Sequence, residues 1–497
     1  MKFPFSIALL LLSFFSASAQ TFSVDIDVDN PPEGIFSEDW AEMFINGEKV
    51  GYTHTLLERQ GPEILTVEET YLQLGRGPTS ITSISTSKTR ETLEGAPLSL
   101  NTVTREGERT KTQNITFTPE GALIATHDGA RSWTNDVTLE PGYVLSWSFV
   151  RAMEKANLAP GETLKNRIYV PDLVLSQALP VSTTMIGEED VSLDGELHEA
   201  MKIEQTLQLG FLPLKVTAWI RGNGNLLRMD MPLGGMDITL LGSNEEKARA
   251  SFSPPDLFTN TLIPLNRPIP LDALSVTFLV KTNGEVVRQM PESAYQSVQP
   301  IDDGTFAVRV RRGALRFSEP SPVESTYLEP SPLVNFEDPA ILYLLAQAEI
   351  DSLAPEEKVR RLVAIADESI AIKSMDLGFA TASETVALSE GDCTEHSLLL
   401  TALCRAADIP ARGASGLVYF PTEDGNPVMG YHMWTQIWNG AEWLDIDAAF
   451  GTAEPEPIRI LFSTSDLMDP SLTEDILVLT QYLGQTAIEI ESVTEPE

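Results

Sequence analysis

The sequence predicts a multi-domain chain in which N-terminal antiparallel β regions precede a smaller α+β core. Three observations lead there. Alternating apolar patterns broken by Asn-Gly and Gly-rich turns run from about residue 40 to 243. Pro-rich joins at 248–270 and 319–332 divide the chain. Beyond the second join the apolar spacing becomes helical before returning to two short strands. At 497 residues the chain is also too long for one core.

The elements follow in order. Residues 1–19 read as a secretory signal peptide, with Lys2, an apolar run from Ile7 to Phe15, and Ala17-Ser18-Ala19 before a cleavage point at Gln20. That run is too short to span a bilayer, and no later one approaches ~20 apolar residues. The expectation is an exported protein, periplasmic or extracellular, with no membrane insertion. Residues 20–247 form a β-rich domain. Met43 to His54 reads as strand, Asn46-Gly47 turn and strand, and Thr217 to Met229 as a second hairpin. One helix interrupts the strands near Tyr143 to Asn157, and His54, His127 and His198 read as structural or surface residues.

Residues 271–323 form a small β domain, with Val276 to Val280 and Phe306 to Val310 as strands. The core covers 335–455 and opens with amphipathic helices near 338–352 and 355–372. Residues 456–497 read as an extension, a helix and a final strand, packing on that core. A net charge of -38 excludes nucleic acid and anionic lipid surfaces as partners.

The chemistry concentrates late in the chain. Only two cysteines and five histidines occur, yet Gly391-Asp392-Cys393-Thr394-Glu395-His396 is followed by Tyr431-His432-Met433-Trp434 and Trp443-Leu444-Asp445-Ile446-Asp447. A cysteine, a histidine and an aspartate in that order are the parts of a thiol nucleophile, its base and an orienter. Asp392 and Glu395 make a capping box, so Cys393 lies in the first turn of a helix that runs to about Ala407. The dipole there favours thiolate, the neighbouring acids oppose it, and the Cys393 N–H is a candidate oxyanion donor.

Asn439-Gly440 reads as a two-residue hairpin loop. His432 then lies opposite Asp447, while Asp445 falls opposite Trp434 and only diagonal to His432. Asp447 is therefore preferred over Asp445 as orienter. His396, three residues beyond Cys393, offers a competing zinc reading with Cys393, His432 and Asp447, although the spacing of a structural zinc site is absent. Trp434, Trp438 and Trp443 read either as core or as the wall of a substrate groove. Cys404 lies roughly 16 Å from Cys393 along one helix, too far for a disulfide.

These segments, with Ala402 to Arg412 and Gly416 to Tyr419 between them, resemble the transglutaminase-like core of the papain-like cysteine peptidase superfamily. The resemblance covers about a quarter of the chain, with five segments in the family order. It implies that Cys393 is the nucleophile, His432 the general base and then acid, and Asp447 the third member, with no cofactor or metal. Ala448-Ala449 stands where the family often has Pro-Thr. The implied substrate is a protein or peptide-like amide, attacked to give a thioester that goes to water or to an amine, with hydrolysis favoured. The competing class is a non-enzymatic exported binding or assembly protein using the core as scaffold.

Overall fold

The computed structural model describes residues 27–76, 79–106, 109–128, 131–171, 177–209, 212–222, 224–233, 236–255, 262–282, 290–319, 321–373, 380–422, 424–468 and 486–496. The expected signal peptide lies outside them. The chain forms two compact units that part near residue 257.

The first unit is a sheet, antiparallel except for one parallel pair at an edge, with a single helix of more than one turn among its described residues. Its strands, from Gly34–Ile45 to Met236–Ser243, join one fifteen-stranded sheet. The first and last of them pair antiparallel at its middle, with Met43 opposite Leu240. Asn46 and Gly47 form the expected two-residue loop, with Ile45 paired to Glu48. Their φ angles of 52° and 82° are the left-handed values that a type I′ turn demands. The helix is Ser146–Ala156, inside the range predicted for it. It buries Trp147 against Leu57 and Ile64 of neighbouring strands.

The second unit holds the α/β region. Helix Cys393–Ala406 packs on strands Ala411–Pro421 and Pro427–Trp438, and helices Pro339–Gln347, Pro355–Ser369 and Ala382–Leu388 pack on that helix. The third of these helices was not expected, although Thr381 and Glu384 form a capping box at its start. The sheet runs Ile263–Pro264, Pro427–Trp438, Ala411–Pro421, Arg459–Ser465, with Trp443–Ile446 paired to Pro427–Trp438.

The tail divides between two sheets. Arg459–Ser465 is a strand of the sheet just described, whereas Thr486–Thr494 pairs with Ser275–Thr282 in a separate four-stranded sheet. Burial explains the second placement: Ile488 and Ile490 fall opposite Val280 and Phe278, and all four are buried. The helix expected in the tail has no counterpart in 456–468 or 486–496, and 469–485 lie outside the described residues.

Candidate active site

The cysteine helix begins where its sequence says it should. Asp392 is the N-cap and its Oδ1 accepts the Thr394 N–H at 2.8 Å, while Glu395 Oε2 accepts the Asp392 N–H at 2.9 Å. Glu395 is fully buried, and its Oε1 also accepts the Ala380 N–H at 3.2 Å. A Cβ on Gly391 would lie 2.4 Å from Glu395 Cβ, so this turn needs glycine. Cys393 is half-buried and free, and occupies the first helical position, where the N–H has no partner within the helix.

Polar stitching then fixes the helix against the histidine strand. Ser397 Oγ donates to the Trp434 carbonyl at 2.9 Å, and Thr435 Oγ1 returns a bond to the Ser397 carbonyl at 3.1 Å. Both side chains are buried, so neither bond competes with solvent. The register brings His432 beside Cys393, near enough for the cysteine to raise the basicity of the imidazole. His432 Nε2 lies 2.7 Å from Asp447 Oδ2, which leaves Nδ1 as the ring nitrogen for the cysteine.

The hairpin that carries Asp447 is not the one expected. Trp438 pairs with Trp443 and Gln436 with Asp445, giving a four-residue loop over 439–442 instead of a two-residue one. Asn439 is the reason. Its Oδ1 accepts the N–H groups of Ala441 and Glu442 at 2.9 and 2.8 Å, its Nδ2 donates to the Arg316 carbonyl at 2.8 Å, and Ser321 Oγ donates to the Gly440 carbonyl. An Asx turn tied to a distant segment replaces the I′ turn. The shift is two residues, which preserves the faces. Asp447 therefore remains on the side of His432 but reaches it diagonally, from a turn closed by mutual backbone bonds with Thr452 at 2.7 and 2.9 Å. Asp445 is occupied elsewhere, its Oδ1 accepting from Trp434 Nε1 at 2.7 Å and Gln436 Nε2 at 2.8 Å.

Two further residues belong to the site. Arg459, only 2% exposed, donates to Asp447 Oδ2 from Nη2 at 2.8 Å and Nε at 3.2 Å. Phe450, 44% exposed, stands edge-on to the His432 ring with centroids 5.1 Å apart. Sequence reasoning overlooked both. The available signal for Arg459 was a lone charge among Ile458, Ile460, Leu461 and Phe462, since a charge inside an apolar strand needs a partner.

Burial pulls the His432 imidazolium down, but the Asp447 charge and hydrogen bond, aided by Cys393, outweigh it and push the group up to about 9. Burial opposes ionisation of Asp447 too, yet His432 and Arg459 hold it well below the usual carboxylate range. Asp445 shifts the other way, raised by burial despite its two hydrogen bonds. Cys404 is fully buried and its thiol is pushed up to about 12, so it is inert beside Cys393. His396 is buried, its Nδ1 2.6 Å from the Asp392 carbonyl, and burial lowers its basicity. Among the described residues, no three His, Cys, Asp or Glu side chains are grouped to hold a metal ion. Trp434 is core and flanks His432 at 6.1 Å between centroids, while Trp438 and Trp443 pack on each other at 5.6 Å.

No protein of curated function matches the sequence significantly. Among solved structures, a putative cysteine protease from Cytophaga hutchinsonii is 14% identical, with 46% of this chain and 84% of that one covered and a TM-score of 0.29. A β-barrel-like DUF1849 protein from Brucella abortus is 9% identical over 43% of this chain and 97% of its own, at TM-score 0.34. The periplasmic domain of TgpA from Pseudomonas aeruginosa is 14% identical over 36% and 92%, at TM-score 0.21. Such scores leave all three as distant likenesses. The family model described as transglutaminase-like superfamily matches residues 346–448, a span that contains Cys393, His432 and Asp447. Behind its large β-rich region, the chain carries a domain of the transglutaminase-like superfamily.

Proposed function

We propose that this protein is a cysteine enzyme that cleaves a peptide-like amide through a thioester on Cys393. The observation that carries the reading is the buried His432–Asp447 pair, with Nε2 at 2.7 Å from the carboxylate, beside the half-buried Cys393. Proton transfer from thiol to imidazole gives a thiolate and an imidazolium, which Asp447 stabilises. The thiolate attacks the amide carbonyl carbon, and the charge that develops on oxygen lies near the Cys393 N–H. The C–N bond then breaks, His432 gives its proton to the leaving nitrogen, and a thioester remains. Water attacks the thioester, His432 accepts its proton, and the C–S bond breaks to release the acid and restore the thiolate.

We favour water over an amine as the final acceptor, with a protein or peptide as substrate and no cofactor. The N-terminal leader pattern supports export to the periplasm or the medium, and no helix among the described residues is long and apolar enough to cross a membrane. The deciding experiment incubates the protein with peptide libraries, with and without an added primary amine, and weighs the products. Free carboxyl products that disappear in Cys393→Ala are expected. Amine incorporation as the main product would make the enzyme a transferase. A Cys393 no more reactive than Cys404, with no products at all, would leave the scaffold reading.

A further inference from the structure

Asp447 Oδ2 carries more than a catalytic orienter needs. It accepts from His432 Nε2 at 2.7 Å, from Arg459 Nη2 at 2.8 Å and from Arg459 Nε at 3.2 Å, while Oδ1 accepts the Phe450 N–H at 3.3 Å. Asp447 and Arg459 are each 2% exposed, so the ion pair has no solvent competition. The guanidinium is itself held, by Glu456 at 3.5 Å and by the Phe450 ring at 5.4 Å. It enters from a strand whose backbone approaches its neighbour too closely for any side chain at Gly416, where a Cβ would lie 1.9 Å from the Ile460 carbonyl oxygen. Gly416 is also the residue paired with His432 across the next strand.

We infer that Arg459 is a positioning residue for the proposed reaction: by sharing one carboxylate oxygen with His432 it fixes the direction of that oxygen and divides its charge. The inference rests on the reading of Cys393 and His432 as the reacting pair. Two consequences follow from the geometry. A carboxylate pinned by two guanidinium N–H groups cannot rotate away, so the imidazole keeps Nδ1 toward Cys393. A buried cation beside the pair also opposes the imidazolium and favours the thiolate. Asp447 alone would hold the imidazolium too firmly for His432 to release a proton to the leaving nitrogen, and Arg459 weakens that hold. Among the described residues, the other titratable groups facing this cluster are Cys393 and His396 from the helix, Asp445 from the hairpin and Glu456 from the turn before the arginine strand. All of them are retained in the variants that test Arg459.

The test reads the site with and without substrate. In Arg459→Gln and Arg459→Met the neutral side chain should move both limbs of the pH profile upward by about one unit, because the thiolate loses a favourable charge and the imidazolium an unfavourable one. The same upward shift should appear in the pH dependence of iodoacetamide alkylation at Cys393, which needs no substrate. Turnover should fall about 10–100-fold with KM nearly unchanged. Arg459→Lys restores the charge but not the two-point grip, so its limbs should return close to those of the parent while turnover stays about fivefold low. A purely structural arginine would lower the melting temperature and the titrated fraction of active sites without moving either limb, and that outcome overturns the inference. Full turnover in Arg459→Lys would also overturn it, and this arm remains available if the neutral variants do not fold. If Cys393 of the parent protein alkylates no faster than Cys404, the enzyme reading itself fails. If it alkylates faster but the neutral variants give the parent curve, only the role of Arg459 falls.

Discussion

In the N-terminal unit the helix Ser146–Ala156 begins with the Trp147 and Ser148 N–H groups bound to Glu91, at 2.6 and 3.0 Å. In the C-terminal unit the helix Cys393–Ala406 begins with the Thr394 N–H bound to Asp392, and with Glu395 reaching back to the Asp392 N–H. Both ends present the same unpaired donors and the same positive end of a dipole. Leu145, the residue before the first helix, has no acceptor of its own, so a carboxylate from a strand must supply one, and Glu91 is fully buried in doing so. The second helix is capped by its own flanking residues. That local solution leaves the Cys393 N–H and its half-buried thiol free to face a reactant. A sealed helix end stabilises the fold, whereas a self-capped one can serve chemistry.

Paired substitutions would break that contrast if it is false. Cys393→Ala removes the proposed nucleophile, and turnover on the proposed amide substrate should fall by roughly 10³-fold or more while the melting temperature stays nearly constant. Glu91→Ala should do the reverse, costing about 2–5 kcal/mol by stranding the buried Trp147 N–H and the part-buried Ser148 N–H and opening a void, with turnover per folded molecule retained. Thermal melts beside active-site titration separate the two. Equal losses of turnover would mean that the helix ends are not functionally distinct.

Asp447→Asn comes next in size. An amide that keeps the shape but loses the charge offers His432 the wrong partner and leaves Arg459 facing a neutral group. Turnover should fall about 10²–10⁴-fold. The change in Asp445→Asn should be far smaller, because Asp445 accepts from Trp434 and Gln436 and does not touch the imidazole. Steady-state rates for the two variants decide this, and a larger loss at Asp445 would reassign the third member.

The local parts of the site were legible in the sequence. The capping box placed Cys393 in a first turn because Asp392 and Glu395 act within four residues of each other. Asn46-Gly47 also made the loop its dipeptide predicts: Asn46 Oδ1 accepts the distant Asp237 N–H at 2.9 Å, outside the hairpin it closes, and the turn keeps its two residues. Asn439-Gly440, the same dipeptide, made a longer loop because Asn439 Nδ2 bonds the Arg316 carbonyl, a partner no local rule could supply. The face of Asp447 survived that error only because a strand repeats every two residues and the shift was two. Arg459 stayed hidden for the same reason as the loop. Its partner lies across a strand approach that depends on Gly416, and no periodicity encodes it.

A pH series sharpens the comparison at the sealed end. Burial raises Glu91 from an ordinary 4.5 to about 7, against the pull of the Ser148 side chain and of the Ser148 and Trp147 N–H groups. The folded state then binds a proton more tightly than the unfolded one between those values. Stability should fall as pH rises from 4.5 to about 7 and level off above it, a loss of about 3 kcal/mol in all. Glu91→Gln should flatten that slope in melts from pH 5 to 8, and an unchanged slope would assign it to other groups.

The smallest effect tests the self-capped end. Asp392→Asn keeps an equally good cap, so stability should change by no more than about 0.5 kcal/mol. It also removes a negative charge next to Cys393, which relieves the thiolate of a repulsion that the dipole and imidazole otherwise have to overcome. The acid limb of alkylation at Cys393 should move down by a few tenths of a pH unit. An upward shift would mean that the carboxylate orders the turn more than its charge hinders the thiolate. The capping box would then be part of what makes Cys393 reactive.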